Sequence, residues 1–329
     1  MNKGSPLLAA LRHPARPVLL AASKSQRLES LSQRFAFTRA VVSRFVAGYE
    51  LDDALRVVAD LLGSRFVSVD HLGENVRDRA QAEAAVQAHR DLLDGLGRVR
   101  DELAARGQPL PDGALEASIK LSAFGQLLPD GQALALAGAQ ALCAKADEVG
   151  ALVTVDMEDH TTTEATLSVV RALRSDFPWT GAVLQSYLKR TEADCRDFAG
   201  PGSRIRLCKG AYQEPKSVAY QDKEQVDSSY KRCLAVLFEG DGYPMVASHD
   251  PAMIAEATRL AAATSRVASS YEHQMLYGVR ADEQARLAAS RVRVRTYVPY
   301  GGRWYGYFVR RLAERPANLG FFLRALAGR

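Results

Sequence analysis

The apolar positions of this chain change their period at Gly63. Before it, Ala40–Phe45 and Leu51–Leu62 carry apolar residues at steps of three and four, the spacing of amphipathic helices, and residues 5–62 read as helical throughout. After it, Phe66, Val67 and Val69 open a short apolar run that ends at Asp70-His71-Leu72-Gly73-Glu74. A long helical pattern follows from Val76 to about Gly107, and the alternation then repeats. Strand-like runs cover Leu115–Leu121, Ala151–Met157, Gly181–Tyr187, Arg204–Cys208, Tyr243–Ala247, Ala268–Met275 and Val292–Val298. Helical patterns fall between them at Gly131–Glu148, Thr162–Asp176, a short stretch near Glu192–Ala199, Asp222–Glu239, Pro251–Ala263 and Asp282–Ala289.

Strands that each lead into a helix predict an α/β fold, a closed (β/α)8 barrel over residues 63–329, with a helical arm or cap at residues 1–62 and a C-terminal helix over the barrel mouth. The competing architecture is an open, doubly wound sheet with a separate helical domain. The strand ends favour the barrel. Asp70/Glu74, Lys120/Ser122, Asp156/Glu158, Gln185/Tyr187, Arg206/Lys209, Ser248/His249, Gln274/Tyr277 and Tyr297 close successive strands. A barrel gathers strand ends at one rim, whereas stability alone does not call for a whole ring of polar ends.

Composition adds limits. The chain has 329 residues, 47% hydrophobic and 25% charged, with no low-complexity tract. The net charge of +5 is small and scattered, which suits a small anionic ligand and gives no footing for nucleic acid. Cys143, Cys195, Cys208 and Cys233 are widely spaced without a CxxC, as expected of reduced thiols in a cytoplasmic protein. No apolar run reaches the roughly 20 residues of a membrane span, and Arg12, His13, Pro14 and Arg16 break the N-terminal apolar stretch. Fingerprints for dinucleotides, P-loops, zinc proteases and serine hydrolases are absent. Ser186-Tyr187-Leu188-Lys189 has the spacing of serine acylases without their accompanying motifs, and His249, His273 and His71 are too few at strand ends to argue for a metal.

Two constellations remain. Arg206 lies inside a strand and needs an anionic or polar partner, which an electron-rich flavin ring would provide; Lys209-Gly210-Ala211-Tyr212 follows it, with Gly210 permitting close backbone approach to a ligand. Beyond the eighth strand, Tyr307, Arg310, Arg311 and Glu314 share one helical sector. An Arg-Arg doublet is most often a solvated surface, but next to aromatics at a barrel mouth it can grip a carboxylate.

The motifs Ser118-Ile119-Lys120-Leu121-Ser122, Val155-Asp156-Met157-Glu158, Leu184-Gln185-Ser186-Tyr187-Leu188-Lys189-Arg190, Arg206-Leu207-Cys208-Lys209-Gly210-Ala211-Tyr212, Ala247-Ser248-His249, Gln274-Met275-Leu276-Tyr277-Gly278, Arg295-Thr296-Tyr297-Val298-Pro299 and Arg310-Arg311-Leu312-Ala313-Glu314 fall in order at successive strand ends. In this the chain resembles the proline dehydrogenase family, in its small monofunctional bacterial form, from about Phe66 to the end. The resemblance implies oxidation of L-proline to Δ1-pyrroline-5-carboxylate by hydride transfer to the N5 of a non-covalent FAD. Electrons would pass to a membrane quinone through peripheral contact at the inner face of the membrane, with pyrroline-5-carboxylate dehydrogenase as the pathway partner. It implies that Arg310, Arg311 and Lys120 bind the proline carboxylate, that Tyr297 packs over the ring, that Asp156 organises the polar side, and that Leu207, Ala211 and Tyr212 form the wall. Glu74 would pair with Arg310 as a gate. Arg206, Gln185, Cys208, Lys209, Gly210, His249, Gln274, Leu276 and Glu314 would surround the FAD. The chain departs from the family pattern at Cys208, where valine is common, and at Ser248-His249-Asp250, where Thr-His-Asn is common. Two other readings stand beside this one: an aldolase-type barrel using Lys120 or Lys209 as a Schiff-base nucleophile, and a noncatalytic anion-binding barrel.

Overall fold

The computed structural model describes residues 43–74 and 76–307. Strands β1 (Phe66–His71), β2 (Leu115–Ile119), β3 (Leu152–Val155), β4 (Gly181–Gln185), β5 (Arg204–Cys208), β6 (Tyr243–Ala247), β7 (Glu272–Leu276) and β8 (Val294–Tyr300) pair in sequence order, all parallel. The sheet closes through β8 on β1, from Phe66 opposite Arg295 to His71 opposite Tyr300. The α/β barrel expected from the alternation is therefore the fold.

Helix α1 (Leu51–Leu62) precedes the barrel. Helices α2 (Arg79–Ala105), α3 (Gly131–Glu148), α4 (Thr163–Asp176), α5 (Thr191–Phe198), α6 (Lys223–Glu239), α7 (Pro251–Ala263) and α8 (Ala281–Ala289) follow strands β1 to β7 in turn. Local chemistry starts several of them. Asp78 caps α2 by accepting from the Gln81 N–H at 2.8 Å, and Asp250 caps α7 through Ala252 N–H at 3.0 Å, with Pro251 in the first turn. Among the described residues no helix is long and apolar enough to cross a membrane.

Three expectations need correction. Residues 43–50 are turn and irregular chain, not helix, because Ala47 N–H bonds to Pro299 O and Gly301 N–H bonds to Gly48 O, tying the segment to the end of β8. Leu121 leaves β2 to open a short 3-10 turn, Leu121–Phe124, which Gly125 ends in the left-handed region at φ 84°. β7 begins at Glu272 and not at Ala268, since Ser270 bonds back to Val267 O through both its N–H and its hydroxyl and makes a turn there.

The two faces of the strands differ sharply. Outward residues Val67, Val69, Leu115, Ile119, Val153, Val155, Leu184, Ile205, Leu207, Val246 and Val298 are buried in one apolar cluster with residues of the surrounding helices. Each such side chain contributes on the order of 1.5–3 kcal/mol. The inward residues are mostly polar or charged, where barrels usually stack branched apolar layers. By contacts, Phe45–Gly210 and Glu214–Gly302 form one compact unit; residues 43–44, Ala211–Gln213 and 303–307 fall to a second.

Candidate active site

The inward positions follow from the two-residue period of the strands. On β2 and its continuation they are Glu116, Ser118 and Lys120; on β5, Arg204 and Arg206; on β7, Glu272 and Gln274; on β8, Arg295 and Tyr297. All nine are buried or nearly so, and they meet in layers.

The first layer is a pair of ion clusters. Arg295 grips Glu272 with two bonds, Nε to Oε1 at 2.7 Å and Nη2 to Oε2 at 3.1 Å, and donates to Val67 O and Gly113 O at 2.8 Å. Glu116 accepts from Arg204 Nη2 at 2.6 Å on one oxygen, and from Arg206 Nη2 at 2.6 Å and Ser68 Oγ at 2.7 Å on the other. Burial alone would raise the Glu116 carboxyl; Arg295, Arg204 and Arg206 outweigh it and hold the group well below the usual carboxylate range.

Arg206 forms the next layer by itself. Its Nε donates to Gln274 Oε1 at 2.5 Å, Nη1 to Ser118 Oγ at 2.8 Å and Asp156 Oδ1 at 2.6 Å, and Nη2 also to Ser68 Oγ at 3.1 Å. The partner that Arg206 requires is thus supplied by protein carboxylates, hydroxyls and the Gln274 amide. The Tyr297 ring centroid lies 5.3 Å from its guanidinium carbon.

The last layer centres on Asp156. Its Oδ1 takes Ser118 Oγ at 2.9 Å in addition to Arg206, and its Oδ2 takes Tyr297 OH at 2.8 Å and lies 3.2 Å from Lys120 Nζ. Lys120 Nζ also donates to Asp70 Oδ2 at 2.7 Å and Tyr297 OH at 3.3 Å. Burial opposes charge on both Asp156 and Lys120, but their neighbours prevail. Lys120 and Arg206 keep Asp156 below its ordinary range; Asp70, Tyr297 and Asp156 keep Lys120 well above its own. Burial raises the Asp70 carboxyl and, aided by Asp156 and Asp70, raises the Tyr297 phenol, which stays a donor. Gln274 accepts from Arg206 and donates to Glu272 Oε1 at 2.6 Å, so it joins Lys120, Arg204, Arg206 and Arg295 with Asp70, Glu116, Asp156 and Glu272 in one network of equal numbers of cations and carboxylates.

Around the rim, Gln185 is buried and donates to Glu158 O at 2.7 Å. Glu158 accepts from Ser122 Oγ at 2.6 Å and Ser122 N–H at 3.1 Å, and burial together with the charge of Glu74 pushes its carboxyl up to about 7. Lys209 bridges Asp227 at 2.5 Å and Asp250 at 2.6 Å. His249 Nε2 accepts the Leu276 N–H at 2.9 Å, which places the imidazole beside the end of β7. Cys208 is half-buried, and its carbonyl accepts from Ser186 N–H at 2.8 Å.

One expected role changes. Leu207 faces away from Arg206 into the apolar layer behind β5, so it supports the strand and does not line the interior. Gly210 sits at φ 110°, and a Cβ there would lie 2.2 Å from the Tyr187 ring, so packing against Tyr187 also requires glycine at this position. Ala211 and Tyr212 are half-buried members of the second unit. Glu74 is half-buried and its charge acts on Lys120, while Arg310, Arg311 and Glu314 lie outside the described residues. Glu116 and Glu272 join the site from outside both the polar strand ends and the motifs, while Asp70 and Glu158 stand among those ends and Ser118 and Arg295 within the motifs. The signal was present: in Glu116-Ala117-Ser118-Ile119-Lys120 polar residues recur at every second position.

Comparison with known proteins bears on what this interior is for. A family model described as proline dehydrogenase matches residues 59–324. The chain belongs to the proline dehydrogenase family. It is 35% identical to proline dehydrogenase 1 of Bacillus subtilis over 317 residues, covering 96% of this chain and 99% of that one. It is 36% identical to a proline dehydrogenase of Deinococcus radiodurans over 316 residues, 94% and 97% of the two chains. Both relatives are matched over nearly their whole length. Among solved structures, proline utilization A from Bdellovibrio bacteriovorus, inactivated by N-propargylglycine, matches with a TM-score of 0.76 at 23% identity. The match covers 84% of this chain, which spans about a third (32%) of that larger one. A proline utilization A of Bradyrhizobium japonicum matches with a TM-score of 0.69 at 24% identity, over 86% and 32%. At these identities the two structures speak for the fold alone.

Proposed function

We propose that this chain is an FAD-dependent dehydrogenase that oxidises L-proline to Δ1-pyrroline-5-carboxylate. The observation that carries the reading is Arg206, a buried guanidinium between carboxylates inside a barrel whose chain matches the proline dehydrogenase family over residues 59–324. The donor set suits a flavin. A fixed buried cation favours an electron-rich ring, Gln274 accepts from that cation at 2.5 Å, Gln185 lies buried at the end of β4, and Lys209 and His249 stand at the ends of β5 and β6. Gln185, Arg206, Cys208, Lys209, Gly210, His249, Gln274, Leu276 and Glu314 would hold FAD without a covalent bond. When bound, FAD supplies the two-electron acceptor for the hydride of proline C5, leaving a C5=N double bond.

The residues of the chain do the rest. Arg310 and Arg311 take the substrate carboxylate with Lys120, and Glu74 latches against Arg310. Tyr297 packs on the pyrrolidine ring, and Ala211 and Tyr212 bound it. Asp156 fixes three of these groups at once, since Tyr297, Lys120 and Arg206 all meet its two oxygens. Orientation and electrostatics suffice, and no protein nucleophile is required. The enzyme works from the cytoplasm and delivers electrons to a membrane quinone by peripheral contact, with pyrroline-5-carboxylate dehydrogenase as its pathway partner.

The same geometry speaks against a Schiff-base barrel. Lys120 is held charged by Asp70 and Asp156, whereas an amine nucleophile must be neutral. The deciding experiment is the visible spectrum of the purified protein before and after anaerobic L-proline. A flavin band bleached by proline is expected. A colourless protein that takes up no FAD, or a flavin that proline leaves oxidised, defeats the reading.

A further inference from the structure

Glu116 is completely buried, four residues before Lys120 on the same face of β2, and has been given no task in the reaction. Its geometry is that of a bracket. One carboxylate oxygen takes Arg206 Nη2 at 2.6 Å and Ser68 Oγ at 2.7 Å; the other takes Arg204 Nη2 at 2.6 Å. Ser68 is shared, since it also accepts from Arg206 Nη2 at 3.1 Å. The Arg206 guanidinium is therefore held from one side by Asp156 and from the other by Glu116. Asp156 has other partners at the mouth of the site, whereas among the described residues the side-chain hydrogen-bond partners of Glu116 are Arg204, Arg206 and Ser68.

We propose that Glu116 is a positioning residue for the redox centre: it fixes the plane of the Arg206 guanidinium and, with Arg204 as its counter-charge, sets how much positive field reaches a flavin beside Arg206. The inference rests on the FAD reading above. The reduced flavin ring is richer in negative charge than the oxidised one, so a more positive floor favours reduction and a more negative floor opposes it. Glu116→Gln removes a buried negative charge while keeping the shape. Arg204→Gln removes a buried positive charge on the far side of the same carboxylate. The two substitutions break the same ion pair, so a role limited to holding the barrel together predicts similar effects from both. A charge-setting role predicts opposite ones.

The test is the two-electron midpoint potential of bound FAD in wild type and in each variant, measured on the holoenzyme by equilibration with a reference dye. Glu116→Gln is expected to raise the potential, and Arg204→Gln to lower it, each by at least the equivalent of a tenfold change in the reduced-to-oxidised ratio, about 30 mV. If Glu116→Gln does not fold, Arg204→Gln decides alone through the sign of its shift. Unmoved potentials, or shifts of the same sign in both variants, overturn the inference with the parent reading intact. A wild-type chain that binds no FAD overturns the parent reading and this inference with it.

Discussion

At the scale of the residue, the interior of this barrel is governed by compensation of buried charge. Lys120 is the clearest case, because three acceptors close around one ammonium group: Asp70 at 2.7 Å, Asp156 at 3.2 Å and Tyr297 at 3.3 Å. Removing one partner of a buried pair leaves the other uncompensated. Lys120→Met is expected to lower stability by about 3–5 kcal/mol, read from urea unfolding, and adding Asp70→Asn should restore part of the loss. A double variant no more stable than the single would show that the pair is not coupled. Arg311 belongs to the same scale although it lies outside the described residues. Arg311→Lys is expected to raise the KM for proline at least tenfold with FAD content unchanged, since an ammonium cannot form the two-pronged bond of a guanidinium to a carboxylate. An unaltered KM would remove it from the clamp.

At the scale of the element, each strand has an apolar side and a functional side, and the helices exist to cover the first. Helix α1 does this for the seam between β8 and β1. Its buried residues Ala54, Val58 and Leu62 recur at helical spacing and join the main apolar cluster. Leu62→Ala is expected to cost roughly 2–5 kcal/mol, visible as a lower urea midpoint, while the spectrum of any bound flavin in the folded protein stays unchanged. A flavin spectrum altered at full folding would show that α1 reaches the site. Loops are held as firmly as strands. Glu158 ties three strand ends together, accepting from Ser122 after β2 with its side chain and from Gln185 of β4 with its carbonyl, while standing itself after β3.

At the scale of the whole molecule, buried titratable groups set how stability depends on pH. His89 packs edge-on to Phe124 with Nδ1 bonded to Ala85 O, and His273 lies behind β7 against Tyr271. Burial is the main cause in both, lowering His89 to about 3 and His273 to about 4 from an ordinary 6.5. Below pH 6.5 the unfolded chain binds protons that the folded chain refuses, so stability is lost as the pH falls from 6.5 toward 4. At about 1.4 kcal/mol per unit of separation, His273 alone accounts for something on the order of 3 kcal/mol. Glu158 acts in the opposite sense, because its folded value of about 7 exceeds the unfolded 4.5 and favours the folded state below that range. The two histidines outweigh it, and the urea midpoint is expected to fall between pH 6.5 and pH 5. Substituting both histidines by glutamine should flatten that slope; an equally steep slope would assign it elsewhere.

Much of this molecule was legible in one dimension. Periods of two and of three to four residues are local consequences of strand and helix geometry, so Arg204–Cys208, Tyr243–Ala247, Gly131–Glu148 and Pro251–Ala263 could be bounded to the residue. The family motifs named Lys120, Asp156, Arg206 and Tyr297, and the fold brings the other three onto the Asp156 carboxylate. The tertiary structure alone decided what each is paired with. Glu116 and Arg206 are 90 residues apart in sequence and 2.6 Å apart in space, a proximity no local pattern encodes. Leu207 shows the same limit: its motif suggests the wall of a pocket, and only the packed strand turns it into the apolar layer behind β5. The sequence by itself determined which side chains of a strand share a face, because alternation is a property of one strand. Closure of the sheet decided which charges meet, because that depends on all eight strands at once.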